Sequence, residues 1–135
     1  MDAATVTTRS RAAAAPRAVL FDAYGTLFDV YSVALLAEQL FPGQGERLAV
    51  LWRDKQIEYT RLVSMSAAPD DHYQPFWELT RAALRYAAPR LGLKLDTTAE
   101  ERLMNQYHHL GCFPENKAVL QALKARGLAT GILSN

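Results

Sequence analysis

Apolar residues recur along this chain with two different periods. Ala18, Val19, Leu20 and Phe21 form a continuous apolar run that stops at Asp22, which predicts a short strand ending at an acid. From Val30 to Phe41 the recurrence of Val33, Leu36, Ala37 and Leu40 predicts a helix, ended by Pro42 and Gly43. A longer helix follows over about 46–65, with Leu48, Leu51, Trp52, Tyr59 and Leu62 as its main apolar stripe. Arg53, Ile57 and Thr60 fall on an i, i+4, i+7 line along a different flank of that helix, a mixed surface that suits a cleft wall. Ser66 to Asp71 reads as a loop.

The second half continues in the same manner. A helix over about 72–91 aligns Tyr73, Phe76, Trp77, Thr80, Leu84 and Ala87, and Pro89 is expected to break or kink its last turn. Thr97 and Thr98 stand three residues before Glu100 and Glu101, giving overlapping capping boxes for a helix through Leu103, Met104 and Tyr107 that Gly111 stops. Pro114 opens another helix, with Val119, Leu120 and Leu123 apolar, Lys124 and Arg126 near its negative end, and Gly127 as its cap. Leu128 to Leu133 then reads as a second buried strand, followed by Ser134 and Asn135. The layout is strand, helical insert, helix, strand.

Composition narrows the function classes. The 135 residues are half hydrophobic, enough for one domain with a core. Fifteen basic and fourteen acidic residues give a formal charge of +1 without a polybasic run, which argues against nucleic-acid and membrane-surface partners. No apolar segment approaches the ~20 residues that span a bilayer. The single cysteine, Cys112, excludes an internal disulfide and makes a cytoplasmic, reducing compartment the default. Residues 1–15, rich in Ala, Thr and Arg, read as a disordered N-terminal extension.

The candidate chemistry begins at Phe21–Asp29, FDAYGTLFD. A carboxylate at the end of a strand in an open α/β sheet sits at the crevice where such folds bind ligands. An Asp and a Gly in an ordinary solvated turn would look the same locally, and the pattern alone does not separate the two. His72, His108 and His109 lack a ligand-like partnership.

The stretch is similar to the nucleophile motif of the haloacid dehalogenase superfamily. The phosphatases of that superfamily read D-x-D-x-T, whereas the second acidic position here is Tyr24. A departing alkoxide needs a proton from that second acid, and a halide does not. The D-x-Y-G-T reading therefore resembles the 2-haloacid dehalogenase branch. LWRDKQIEYTRL (Leu51–Leu62) is similar to the cap segment of L-2-haloacid dehalogenases, and ILSN (Ile132–Asn135) to the motif after their second core strand. The resemblance implies an α/β fold: a Rossmann-like core, incomplete here, over residues 16–28 and 113–135, with an inserted helical cap over 29–112.

It also implies roles. Asp22 would attack C-2 of an L-2-haloalkanoate, forming an aspartyl ester whose hydrolysis yields a D-2-hydroxy acid and halide. Thr26 would hold the Asp22 carboxylate, and Arg53 would meet the leaving halide and the substrate's charge. Ser134, Asn135 and the backbone N–H groups of Ala23 and Tyr24 would bind the substrate carboxylate or halide. Tyr24, Ile57 and Phe76 are candidates for an apolar pocket around the alkyl group, with a place in the core the stronger expectation for Ile57 and Phe76. No metal or other cofactor is implied, and a homodimer is what the resemblance suggests.

The family's active-site lysine and its downstream acids lie after the second-strand motif, so the chain is expected to be the N-terminal portion of a longer enzyme. The alternatives are a phosphatase or phosphonatase of the same superfamily, using Mg²⁺, and a non-catalytic fragment acting as an interaction module.

Overall fold

The computed structural model describes residues 15–66 and 73–134. Residues 1–14 of the N-terminal extension, residues 67–71 of the expected loop, His72 and Asn135 therefore lie outside the described residues. Strand β1 (Ala18–Phe21) pairs in parallel with β4 (Ala129–Ile132), Ala18 opposite Ala129 and Phe21 opposite Ile132. Parallel neighbours require a long crossover, and everything between them forms it. The ladder continues past the strand ends, where the Leu133 N–H donates to the Phe21 carbonyl at 2.8 Å. Leu20 lies across Gly131, where an added Cβ would come within 3.0 Å of the Leu20 side chain.

The crossover leaves and re-enters through a second small sheet. β2 (Phe28–Asp29) runs antiparallel to β3 (Gly111–Cys112). The Ser32 hydroxyl reinforces it, donating to the Asp29 carbonyl at 2.7 Å and accepting from the Gly111 N–H at 2.9 Å. Between β2 and β3 come a 3₁₀ turn (Val30–Val33) and helices α1 (Ala34–Leu40), α2 (Gly45–Ser64), α3 (Phe76–Arg90) and α4 (Thr97–Gln106). Helix α5 (Asn116–Ala125) then leads into β4.

The buried core belongs to the helical block. Val33 and Ala37, Leu48 and Trp52, Ala83, Leu84 and Ala87, and Leu103, Met104 and Tyr107 form one cluster. Small alanines on α3 let the Trp52 indole reach inside, where its N–H donates to the Thr80 carbonyl at 2.8 Å. The Tyr107 ring meets that indole edge-on, with centroids 4.9 Å apart. At the α1–α2 corner, the Glu38 carboxylate accepts from the Gly43 and Gly45 N–H groups, satisfying donors that a helix start leaves open. Among the described residues no helix is long and apolar enough to cross a membrane.

Several expectations need correction. The strands are not buried: Leu20 and Ile132 are 63% and 59% exposed, and α5 has no buried residue. An apolar run signals a strand made to be covered, yet Ala18 and Leu20 are exposed and Val19 and Phe21 only half-buried, with Leu120 of α5 near Phe21, Gly131 and Ile132. Leu62, assigned to the packed stripe of α2, is exposed because it lies beyond the part of that helix facing the core. The α4 cap is Asp96, whose side chain accepts from the Ala99 N–H at 2.8 Å. Asp96 has the extended backbone a cap requires, whereas Thr97 already lies in the helix, and Glu100 turns instead to Arg85. Pro89 lies within the last turn of α3, which runs only one residue further.

Candidate active site

The site lies where β1 and β4 end. The parallel register brings Asp22 and Ser134 to the same end of the sheet, each just past its strand. After Asp22 the chain folds sharply. The Ala23 carbonyl accepts N–H groups from Leu27 and Phe28, both at 2.9 Å, and Gly25 N–H donates back to Phe28 at 2.8 Å. Gly25 has φ +91, a left-handed conformation that glycine adopts without a Cβ clash. The Asn116 side-chain amide donates to the carbonyls of Thr26 and Leu27 at 3.0 and 2.7 Å, tying α5 to this loop.

Asp22 is exposed and opens onto a cleft of about 200 Å³. Asp22, Tyr24 and Ser134 line it from the strand ends, Arg53, Ile57, Thr60 and Arg61 from α2, and Phe76 from the start of α3. Tyr24 and Phe76 bring their rings to 5.1 Å and make one apolar corner. Two guanidinium groups against one carboxylate leave the lining with an excess positive charge, which suits a small anion.

The sequence-derived candidates fall into groups. Asp22, Tyr24, Arg53, Ile57, Phe76 and Ser134 come together in the cleft. Ile57 and Phe76 are half-buried parts of its wall, not of the central helical core where they were more strongly expected. Thr26 Oγ1 donates to Asp22 Oδ2 at 3.5 Å, a long contact, and is the only hydrogen-bond partner of that carboxylate among the described residues. Ala23 is buried and does not line the cleft. His108 stacks on Trp77 at 4.6 Å, and His109 Nδ1 lies 3.2 Å from the Asn105 carbonyl, so neither faces the site.

Sequence reasoning missed Arg61, Gln56 and Asn116. Arg61 lies four residues after Ile57 on α2 and was legible as an extension of the same flank. Gln56 is fully buried behind Arg53, whose Nη1 donates to the Gln56 side-chain oxygen. Tyr107 lies against the same group. Burial pushes its phenol up to about 12, although the nearby Arg53 cation and a hydrogen bond with Gln56 pull the other way.

Known proteins are similar to this chain in sequence and fold. The haloacid dehalogenase-like hydrolase family profile fits residues 16–135. The (S)-2-haloacid dehalogenase H-109 of Pseudomonas putida is 45% identical over 117 residues, which are 87% of this chain and 50% of that enzyme. A solved L-2-haloacid dehalogenase is 61% identical with a TM-score of 0.83, the match covering 89% of this chain and 53% of the other. The L-2-haloacid dehalogenase of Xanthobacter autotrophicus, solved with chloropropionic acid covalently bound, is 40% identical with a TM-score of 0.75, over 88% of this chain and 46% of its own. The chain thus spans about half the length of the curated relatives it matches. With an acid at the end of β1, a cation across the cleft and a family profile covering nearly all the described residues, the chain belongs to the haloacid dehalogenase-like hydrolases.

Proposed function

We propose that the protein carrying this chain hydrolyses L-2-haloacids to D-2-hydroxy acids, with Asp22 as nucleophile. The observation that carries this reading is the cleft itself, where one exposed carboxylate and the Arg53 guanidinium line a space of about 200 Å³ with an apolar corner. A 2-haloalkanoate has matching parts: a carbon open to attack, a short alkyl group, a carboxylate and a halogen that leaves as an anion. Relatives named as 2-haloacid dehalogenases support the assignment.

One Asp22 oxygen attacks C-2 from the side opposite the halogen. The new C–O bond forms as the carbon–halogen bond breaks, and the bonding pair leaves with the halide. The Arg53 guanidinium stabilises the expelled ion by its charge and its N–H donors, without delivering a proton. Water then attacks the ester carbonyl, releasing the hydroxy acid with inverted configuration and restoring the carboxylate. Two easier steps replace a direct attack by neutral water on carbon. Thr26 steadies the carboxylate, while Ser134 and the backbone N–H of Tyr24 receive the substrate's own carboxylate; Asn135 and the backbone N–H of Ala23 take that role only by the family resemblance, since Ala23 is buried outside the cleft lining. Tyr24, Ile57 and Phe76 enclose the alkyl group.

In the same reading residues 29–112 form the cap that supplies Arg53, Ile57 and Phe76. Residues 16–28 and 113–135 belong to the core that supplies Asp22 and Ser134. The short β2–β3 pairing at the crossover's entry and exit supports that boundary. A cytoplasmic enzyme acting as a homodimer completes the proposal, and size-exclusion chromatography tests the dimer.

Tyr24 at the second motif position speaks against phosphatase chemistry, because it supplies no carboxylic acid for an alkoxide leaving group. The test is incubation of the full-length protein with L- and D-2-chloropropionate and with p-nitrophenyl phosphate, each with and without chelator. Chloride release from the L enantiomer alone, lost in Asp22→Asn, is expected. Parental halide release by Asp22→Asn, or metal-dependent phosphate release without halide, would overturn the proposal.

A further inference from the structure

Behind the cleft wall lies a polar chain sealed in the helical core. Gln56 is 0% exposed, and so is Thr80 on the facing helix α3. Gln56 Nε2 lies 2.7 Å from Thr80 Oγ1, which lies 2.7 Å from the Phe76 carbonyl oxygen. The Gln56 backbone carbonyl in turn accepts the Thr60 hydroxyl at 2.8 Å.

Hydrogen-bond chemistry gives this chain one direction. A guanidinium can only donate, so the Gln56 atom facing Arg53 Nη1 is its carbonyl oxygen. The amide nitrogen then faces Thr80 and donates to it. Thr80 accepts that bond and sends its own proton to the Phe76 carbonyl, which can only accept. Each of these contacts pairs a donor with an acceptor only in this arrangement, and a buried amide left without partners would be costly.

We propose that Gln56, held by Thr80, is a positioning residue that fixes the Arg53 guanidinium at the cleft, so that the cation already stands where the halide is expelled. This rests on the dehalogenase reading above. A free arginine side chain samples many rotamers, and ordering it during the reaction would raise the barrier. With Nη1 held from behind, the remaining donors of Arg53 are free to face the cleft. Thr80 also carries Phe76 into the relay, because its hydroxyl bonds the carbonyl of that wall residue. The cation and the apolar corner are therefore set by one chain of hydrogen bonds.

The experiment uses the full-length protein with L-2-chloropropionate, following kcat, KM, product inhibition by chloride and the thermal midpoint. Gln56→Met and Thr80→Val keep side-chain volume and remove the relay. Each is expected to lower kcat about 10–100-fold, the scale of a displaced catalytic group, to weaken chloride inhibition and to change KM much less. Thr80→Ser, which keeps the hydroxyl, is expected to recover most of the activity lost in Thr80→Val. In an Arg53→Lys background Gln56→Met should cost less than about threefold more, because groups acting through one another are not additive.

Folded Gln56→Met and Thr80→Val proteins with parental kcat and chloride inhibition would overturn the inference. So would losses that only follow the folded fraction, or an undiminished penalty in the Arg53→Lys background. The two levels separate cleanly. Absence of halide release from the parent protein removes the dehalogenase reading, whereas release that survives Arg53→Ala, or that is lost in Arg53→Ala but indifferent to Gln56→Met and Thr80→Val, removes only the positioning role.

Discussion

Gly45→Ala tests whether the approach of α1 to α2 is set by a missing side chain. A Cβ at this position would lie 2.6 Å from the Ala34 carbonyl oxygen, 2.6 Å from the Glu38 nitrogen and 2.7 Å from the Glu38 Cα. All three are backbone atoms of α1, so no rotamer change relieves the clash. Ordinary contact lies near 3.5–4.0 Å, which requires the helices to separate by roughly 1 Å. Alanine gains about 0.5–1 kcal/mol over glycine inside a helix, and overpacking costs about 1–3 kcal/mol. The balance is a net destabilisation of up to about 2.5 kcal/mol, raised further because separation pulls Glu38 from the Gly43 and Gly45 N–H groups. Urea unfolding of parent and variant should show a lower midpoint with an unchanged slope. Gly43→Asn is the control: Gly43 has φ +77 with nothing near its added Cβ, and asparagine tolerates that conformation. A Gly45→Ala midpoint at or above the parental value, or one no lower than that of Gly43→Asn, would refute the reasoning.

Three further outcomes follow from individual contacts. The Gly43 and Gly45 N–H groups hold the Glu38 carboxyl below its ordinary value of 4.5, so its contribution is present above that pH and lost as acid titrates through the lowered value. The midpoint advantage of the parent over Glu38→Gln should therefore be constant near neutrality and shrink below about pH 4.5; an advantage unchanged at pH 3 would contradict it. Tyr107 is raised from 10.0 to about 12, so the unfolded chain releases that proton first and stability falls as pH rises between the two values. Ultraviolet titration should find one phenol ionising late, and Tyr107→Phe should flatten the alkaline loss of stability. Asp96→Ala should cost about 1 kcal/mol in urea unfolding while Thr97→Ala stays within about 0.5 kcal/mol of the parent, and the reverse order would reinstate the threonine cap.

Much of the architecture was legible because period and punctuation agreed. The apolar run into Asp22, the run before Ser134 and the helical recurrences between them gave the strands and most helices close to their observed bounds. The cleft flank was readable from Arg53, Ile57 and Thr60, since residues four and then three apart on a helix share a face. Periodicity does not say what opposes a face. Phe76 therefore read as core although it borders the cleft, and the apolar strands read as buried although Leu20 and Ile132 are exposed. The Asp96 cap was hidden because three neighbouring side chains could each serve, and only the backbone angles choose among them. Gln56 was invisible for a related reason. A polar residue on an apolar seam becomes meaningful only when Thr80, twenty-four positions later, is seen across from it.

The close approach of Leu20 to Gly131 bears on how β1 and β4 align. Leu20 fits over that residue because there is no side chain beneath it, and sliding β4 by a single step would offer it Thr130 or Ile132 instead. Such a shift would also move Ser134 by one residue relative to Asp22, since both lie just past the ends of the paired strands. The register that sets Leu20 opposite Gly131 is thus also the one that leaves a serine and a carboxylate side by side at the mouth of the cleft.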